Sequence, residues 1–181
     1  MNLNLFFTPT DILLPAHADM RRWSVIACDQ FTADAGYWQA VQDTVCDAPS
    51  TLRLMLPEFY LGKCDEAAAT REIQQTMRRY LDDGVFRTVP HSLVLVQRTL
   101  PGGAVRCGVV GALDLEAYDY APDSVTPIRA TEGTVASRLP ARVRIRAAAA
   151  LEMPHIMVFY SDPEDTIRRE AQAAAGETLY D

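Results

Sequence analysis

The sequence has little of what marks the common enzyme families. Its three histidines stand alone, and its four cysteines form no Cys-x-x-Cys pair of the kind that zinc sites use. It also has no glycine-rich phosphate-binding loop and no order of Ser, His and Asp typical of a hydrolase triad. These absences exclude the most frequent zinc, P-loop and serine-hydrolase signatures. No metal site is predicted, and the sequence identifies no cofactor.

Lysine is almost absent as well. The chain has one lysine, Lys63, and 16 arginines. Acidic residues outnumber basic ones, so the formal net charge at pH 7 is -7. Binding to DNA or RNA depends on a surplus of positive charge over a whole face of a protein. The charge balance therefore argues against nucleic acid as a partner.

No stretch resembles a signal peptide or a membrane span, because Pro9 and Asp11 interrupt the apolar N-terminal run and no basic region precedes it. The scattered cysteines have apolar neighbours, which is typical of reduced core residues. With 49% apolar residues in 181, the chain can build a substantial core. The sequence predicts one cytoplasmic domain over residues 1–181, with no membrane partner. It is compatible with a homo-oligomer.

Hydrophobic periodicity predicts an α/β or α+β fold, with a mixed sheet, flanking helices and one β-hairpin. The clearest helix spans residues 65–83 and is closed by Gly84. Its apolar stripe consists of Ala69, Ile73, Met77, Tyr80 and Leu81. The hairpin joins residues 92–100 to residues 104–115. Strands are also predicted over 23–28, 52–56 and 155–160, and helices after the N-cap Asp34 and over 161–165 onward, with Pro163 at the first helical position.

Residues 141–150 fit two patterns. The alternation of ARVRIR is typical of a strand, whereas Pro140 suits a first helical turn and the following AAAAL favours a helix. The helix is the preferred interpretation.

The most informative segment is 128–146, which holds five arginines against one carboxylate in an acidic chain. Like charges this close repel unless solvent, carboxylates or a bound anion offset them. In a helix, Arg138, Arg142 and Arg146 would share one face, and a guanidinium binds phosphate or carboxylate through two N–H groups. The segment predicts a site for a small anionic ligand or nucleotide. The alternative is a solvated charged surface.

The polar turn TEGT in this segment carries the candidate chemistry. Glu132 is the candidate catalytic base, while the hydroxyls of Thr131 and Thr134 are candidates for holding phosphate. Arg129 completes the predicted substrate-binding set together with the three arginines of the helix face. The alternative is an ordinary turn, in which Glu132 pairs with Arg129 or Arg138 to orient the next helix.

Acidic residues at two further places in the chain have a preferred structural interpretation. Asp29 follows the predicted 23–28 strand, where α/β proteins often bind ligands, but a turn cap is preferred. Asp114, Glu116 and Asp119 could together hold a cation, but an exposed strand end is preferred.

Several blocks of the sequence, taken together, resemble the domain of unknown function 1015 family of bacteria and archaea. They are DILLP (11–15), WSVIACDQFT (23–32), DAPSTLRLMLPE (47–58), GALDLEAYDY (111–120), IRATEGT (128–134), RLPARVRIR (138–146) and LEMPHIMV (151–158). The resemblance covers nearly the whole chain.

The family is similar, more distantly, to ParB/sulfiredoxin-like proteins, which include free serine kinases. This resemblance implies part of a phosphate- or nucleotide-binding, phosphotransferase-like enzyme of the amino-acid kinase type. The distant similarity rests on an Asp-Gly-His-His-Arg motif in the later half of the family's proteins, and this chain lacks that motif. The chain therefore resembles the N-terminal portion of a longer protein. The alternative function is a non-catalytic ligand-sensing or ParB-like partner module, and the sequence leaves open whether the chain is an enzyme.

Overall fold

A computed structural model describes residues 6–131, 133, 135–153 and 155–180. These residues combine helices with short strands, which confirms the predicted α+β class. The helices are α1 (Met20–Trp23), α2 (Ala35–Val45), α3 (Glu66–Asp82), α4 (Leu139–Arg146) and α5 (Thr166–Ala174). The strands are β1 (Phe7–Thr8), β2 (Thr10–Pro15), β3 (Phe86–Ser92), β4 (Val94–Thr99), β5 (Val105–Val110), β6 (Ala112–Leu113), β7 (Tyr118–Asp119) and β8 (Ile128–Arg129).

The strands of the described chain form four two-stranded sheets, β1 with β6, β2 with β3, β4 with β5 and β7 with β8. The pair of β4 and β5 is an antiparallel hairpin, in which Val94 lies opposite Val110 and Thr99 opposite Val105. Gly102 and Gly103 form its turn with φ values of 99° and 87°, which favour glycine. The predicted hairpin is confirmed, and the predicted mixed sheet is divided into these small pairs.

The contacts of the chain divide it into two compact units. The first unit comprises Met1–Ile12, Thr88–Gly133 and Met157–Asp181, and the second comprises Leu13–Arg87 and Thr134–Ile156. All buried side chains among the described residues belong to the second unit. The prediction of a single domain over residues 1–181 stays a prediction.

Helix α3 supplies most of the core of the second unit. Asp65 caps its N-terminus by accepting hydrogen bonds from the N–H groups of Ala67 and Ala68, each at 3.0 Å. Ile73, Met77 and Tyr80 are buried along one face of the helix. They form one apolar cluster with three residues from elsewhere in the unit, namely Trp23, Leu54 and Leu151. The predicted stripe is confirmed at these positions, but Leu81 is 39% exposed because it lies at the edge of the buried face.

Two predicted strands of the second unit are wrong for a shared reason. The run 23–28 is not a strand, because Trp23 ends α1 and the hydroxyls of Ser50 and Thr51 donate to its carbonyl oxygen. The N–H of Val25 donates to Thr51 Oγ1 at 3.2 Å. The run 52–56 is not a strand either, since Ser50 Oγ accepts from the N–H of Leu52 and starts the 3-10 turn Thr51–Leu54. Side-chain hydroxyls thus take up backbone groups that a sheet would otherwise pair.

The other helices are found close to their predicted positions, whereas the remaining predicted strand is absent from the described residues. Asp34 caps α2 as predicted, by accepting from the N–H of Tyr37 at 2.9 Å. The helix preferred over 141–150 is confirmed for 141–146, which lie in α4, and is wrong for 147–150, which follow the end of α4 outside any helix. The last helix starts at Thr166, later than predicted, where Asp162 accepts from the N–H groups of Thr166 and Ile167. The predicted strand 155–160 is wrong, since these residues lie outside any helix or strand and Phe159 is 74% exposed.

None of the helices in the described ranges combines the length and apolar character that a membrane span requires.

The stripe of α3 can be tested by replacing Met77, which is 2% exposed, with aspartate. We expect Met77→Asp to abolish cooperative unfolding or to lower the free energy of unfolding by more than about 3 kcal/mol, because an unpaired carboxylate would enter the core. Urea denaturation followed by circular dichroism measures this change.

The matched control is Leu81→Asp on the same helix, which should lower the free energy of unfolding by about 1 kcal/mol, clearly less than Met77→Asp, because Leu81 is 39% exposed at the edge of the buried face. Equal losses in the two variants would contradict the register of α3.

Candidate functional site

Helix α4 carries Arg142, Arg144 and Arg146, and it is fixed to α3 through its C-terminal end. Pro140 lies in the first turn of α4, where its missing N–H breaks no helical hydrogen bond. The Nε2 of Gln74 donates to the carbonyl oxygens of Arg144 and Ile145, at 2.9 and 3.0 Å. Arg78 donates in the same way to the carbonyl oxygen of Ala148. Side chains of α3 thereby satisfy carbonyl groups that a helix end leaves without partners.

Two arginines, Arg138 at the N-cap of α4 and Arg142 on α4, converge on a single carboxylate, Glu58. The Nη2 of Arg142 lies 2.9 Å from Glu58 Oε1, and the Nε of Arg138 lies 3.5 Å from Glu58 Oε2. Arg142 Nη2 also lies 3.6 Å from Asp29 Oδ2. Because Arg138 and Arg142 are one helical turn apart, both guanidinium groups reach the same acceptor from successive turns.

Glu58 is the most enclosed member of this cluster, with a side chain only 10% exposed. It begins the 3-10 turn Glu58–Tyr60, and its backbone N–H donates to the carbonyl oxygen of Cys28 at 2.7 Å. This bond holds the Glu58 turn against the segment that carries Cys28 and Asp29. A mostly buried carboxylate is costly without a positive partner, so the two arginines stabilise the folded chain by pairing with Glu58.

The other two arginines of α4 pair with carboxylates as well. Arg144 Nη2 contacts Glu66 Oε2 at the start of α3, and Arg146 Nη2 lies 2.7 Å from Glu152 Oε1. The positive charge of α4 is thus offset within the second unit, which is one of the ways in which a cationic cluster in an acidic chain is stabilised.

The predicted site residues fall in both units. Arg138, Arg142 and Arg146 belong to the second unit, where Arg138 ends the 3-10 turn Ala136–Arg138 directly before α4 and the other two lie on α4. Arg129 and Thr131 belong to the first, where Arg129 ends β8 and its Nε donates to the carbonyl oxygen of Thr126 at 3.0 Å. The catalytic candidate Glu132 and the phosphate-binding candidate Thr134 lie outside the described residues. The structure therefore brings together Arg138 and Arg142, and the rest of the predicted set stays a prediction.

The cluster also surrounds a thiol, that of Cys28. Burial raises the pKa of Cys28, and the positive charge of Arg142 only partly opposes this effect, while Asp29 and Glu58 add to it. Burial by itself lowers the pKa of Arg142, but its hydrogen bond to Glu58 and the neighbouring negative charges outweigh burial and leave its pKa raised. Arg142 is therefore a permanent cation beside a protonated thiol.

The acidic positions at 114–119 contribute their side chains to local turns. Asp114 Oδ1 accepts from the N–H of Glu116, and Asp119 Oδ1 accepts from the N–H of Ala121, each at 3.0 Å. Within the described ranges, no group of three or more His, Cys, Asp or Glu residues is arranged to hold a metal ion.

Glu58 is the member of the cluster that sequence reasoning missed. It lies 84 positions before Arg142, and neither its spacing nor its neighbours connect it with α4. Asp29 was assigned to a turn cap, whereas its described contacts are side-chain ones, with Arg142 and with Gln30 Nε2 at 3.2 Å. Only the position of Asp29 after an apolar run signalled a functional role.

The chain has been compared with known proteins. The sequence profile of the family described as "Protein of unknown function (DUF1015)" matches residues 9–181. The chain belongs to this family. No curated protein and no solved structure matches it. The Arg138–Glu58–Arg142 cluster thus lies within the matched part of a DUF1015 protein.

The cluster of this DUF1015 chain predicts a specific loss of stability. We expect Arg142→Ala to lower the free energy of unfolding by roughly 1–2 kcal/mol, because Glu58 would keep only the longer contact with Arg138. Urea denaturation measures this loss in a double-mutant cycle of the wild type, Arg142→Ala, Glu58→Gln and the double variant. The interaction free energy between Arg142 and Glu58 should be favourable.

The control for this cycle is Arg22→Ala, which removes an exposed pair with Asp19 at 3.9 Å. Its effect should stay within about 0.5 kcal/mol. A loss in Arg142→Ala no larger than in this control would contradict a stabilising role for the cluster.

The thiol chemistry of the DUF1015 chain follows from the same geometry. At pH 8, iodoacetamide should modify Cys28 more slowly than Cys46 and Cys64, because the raised pKa of Cys28 keeps it protonated and burial limits access, whereas the other two are exposed. Peptide mass spectrometry over time measures the three rates. Modification of Cys28 at the rate of Cys64 would contradict the described environment of Cys28.

Proposed function

We propose that Arg138 and Arg142 bind a small anionic ligand, phosphate or the phosphate of a nucleotide, within a phosphotransferase-like enzyme of the amino-acid kinase type. The observation that supports this proposal is the convergence of two guanidinium groups on Glu58, at 3.5 and 2.9 Å. Such an arrangement holds two planar cations in fixed relative positions before a ligand arrives, which reduces the entropy lost on binding.

The arginines have donors to offer beyond those used by the carboxylates. Among the described contacts, Glu58 and Asp29 engage Nε of Arg138 and Nη2 of Arg142, whereas each guanidinium has five N–H groups. Both arginine side chains are 47% exposed, so a ligand can reach them from solvent. A phosphate can therefore form charge-assisted hydrogen bonds while Glu58 stays in place.

The charges of the cluster also favour a zwitterionic substrate. Two arginines and two carboxylates balance one another, and Asp29 is the more exposed carboxylate, at 36%, with the longer contact to Arg142. An amino acid or phosphoamino acid would place its anionic group on the arginines and its ammonium group near Asp29. A zwitterionic amino acid leaves the net charge of the site unchanged, whereas phosphate or a phosphoamino acid adds negative charge.

The remaining roles extend this proposal to the predicted residues. Glu132 is proposed as the general base, with Thr131, Thr134, Arg129 and Arg146 as further ligand-binding residues. The chain is proposed to be the N-terminal portion of a longer protein that carries the Asp-Gly-His-His-Arg motif, and its four free cysteines favour a cytoplasmic location. The alternative is a ligand-sensing or ParB-like module, which would bind the same ligands without turnover.

Thermal unfolding with phosphate, ADP, ATP, serine and phosphoserine tests the proposal. A ligand that binds only the folded chain raises Tm with the logarithm of its concentration. We expect a rise of roughly 5–10 °C at a concentration about 100-fold above Kd, and a much smaller rise in Arg142→Ala. Added salt should weaken the effect because the contacts are partly exposed.

The matched control is Arg144→Ala on the same helix, which removes the pair with Glu66 and should leave the ligand-induced rise in Tm unchanged. A Tm that does not move with millimolar ligand at low ionic strength would refute the anion site. Binding without phosphoryl transfer, even in the longer protein, would favour the ligand-sensing alternative.

A further inference from the structure

The second unit contains a cavity of about 510 Å³ that lies apart from the arginines of α4. Its walls are the C-terminal end of α2, the segment from Leu52 to Tyr60 and one face of α3. Cavities that bind small molecules have volumes of roughly 300–1,000 Å³, so this one has room for a ligand of intermediate size.

One part of the cavity wall is apolar. Leu52, Met55, Leu56 and Ala69 line it, and the buried side chain of Ile73 forms part of its floor. Binding is favoured when an apolar ligand displaces water from a wall of this kind, because apolar surface is then removed from water. The body of a matching ligand is therefore an aromatic ring or a branched aliphatic group.

Two carboxylates, Asp47 and Glu72, and two guanidinium groups, Arg53 and Arg79, also line the cavity. The positive charge that can turn toward a ligand is that of Arg79. Its Nη2 donates to Thr76 Oγ1 at 2.9 Å and lies 3.8 Å from Glu72 Oε1, and its side chain is 52% exposed. The neighbouring Arg53 is used differently, because its guanidinium donates to the carbonyl oxygens of Cys46 and Ala48, just after the end of α2. Arg79 thus has N–H groups beyond those in its described contacts, whereas the guanidinium of Arg53 binds backbone carbonyl groups.

A polar hydroxyl lies on the same cavity. The Nε2 of Gln42 donates to the hydroxyl oxygen of Tyr60 at 2.6 Å. Because that oxygen already accepts, the Tyr60 O–H can donate its own hydrogen to a ligand atom. Arg79 and Tyr60 therefore offer two donors and favour an acceptor group on the ligand.

We propose that this cavity binds a small carboxylic acid with an aromatic or branched aliphatic body, whose carboxylate pairs with Arg79 and whose body lies on Ile73 and Ala69. This site goes beyond the proposed function, since it shares no side chain with the Arg138–Glu58–Arg142 cluster. A carboxylate binds a guanidinium through two N–H groups, which distinguishes it from a neutral amide of the same shape.

The experiment compares three probes by calorimetry and by NMR titration of the 181-residue chain: indole-3-acetate, indole-3-acetamide and acetate. Indole-3-acetate should bind and shift the amide signals of Ala69, Ile73 and Thr76. Indole-3-acetamide should bind at least roughly tenfold more weakly, since it lacks the charge-assisted bonds. Acetate should not bind measurably, because it lacks the apolar body.

Two variants locate the site. Arg79→Gln should abolish the difference between the two indole probes, and Ala69→Trp should prevent both from binding by filling the cavity. Ala67→Trp is the matched control, because Ala67 lies on the exposed side of the same helix and should leave binding unchanged. Thermal unfolding shows whether each variant is folded. If Ala69→Trp does not fold, the binding of the two indole probes to Arg79→Gln decides whether the proposal holds.

The proposal is overturned if neither indole binds, or if indole-3-acetate binds equally well to the wild type and to Arg79→Gln. Arg142→Ala should bind indole-3-acetate as the wild type does, so that failure of the anion site on α4 and failure of this cavity are separate results.

Discussion

The packing of α3 against Trp23, Leu54 and Leu151 is the constraint on which the second unit depends. Ile73, Met77 and Tyr80 project from one face of α3 and meet partners that are distant in the sequence. The same helix carries Gln74 and Arg78, which bind carbonyl groups at the end of α4. The orientation of α4, and with it the position of its arginines, therefore follows from the burial of one apolar face.

The arginine-rich segment illustrates how an acidic chain accommodates concentrated positive charge. Carboxylates from three other parts of the second unit reach α4: Asp29, Glu58 and Glu66, with Glu152 following the helix. Half-exposed ion pairs contribute little to stability individually, but Glu58 is enclosed and would be costly to leave without a partner. Arg138 and Arg142 can thus stabilise the fold and remain accessible to a ligand, because their described contacts with Glu58 and Asp29 use only part of their N–H groups.

The sequence predicted those elements whose signals are local. Helix α3 has an N-cap, a continuous apolar stripe and a terminal glycine, and the β4–β5 hairpin has two glycines between alternating strands. The runs 23–28 and 52–56 carry a strand-like pattern, but the hydroxyls of Ser50 and Thr51 bind their backbone instead. A short apolar run does not reveal which partner its backbone will find.

The candidate site was predicted only in part for the same reason. The spacing of Arg138 and Arg142 follows from helical geometry, and the structure places both on one carboxylate. Glu58 lies in a different segment, and no local pattern indicates that tertiary packing will bring it to α4. The cavity beside Arg79 depends likewise on the packing of α2, the 52–60 segment and α3 together.

The exposed run Met157–Tyr160 has a consequence for the colloidal behaviour of this chain. Met157 is 70% exposed and Phe159 is 74% exposed, within a segment that carries no charge. Uncharged runs of large apolar side chains attract one another between molecules, whereas a net charge of -7 keeps the molecules apart. That repulsion extends only about 8–10 Å at physiological ionic strength. Concentrated solutions should therefore remain clear in dilute buffer and turn turbid as salt is added, which is the reverse of the salting-in that an evenly polar acidic protein shows.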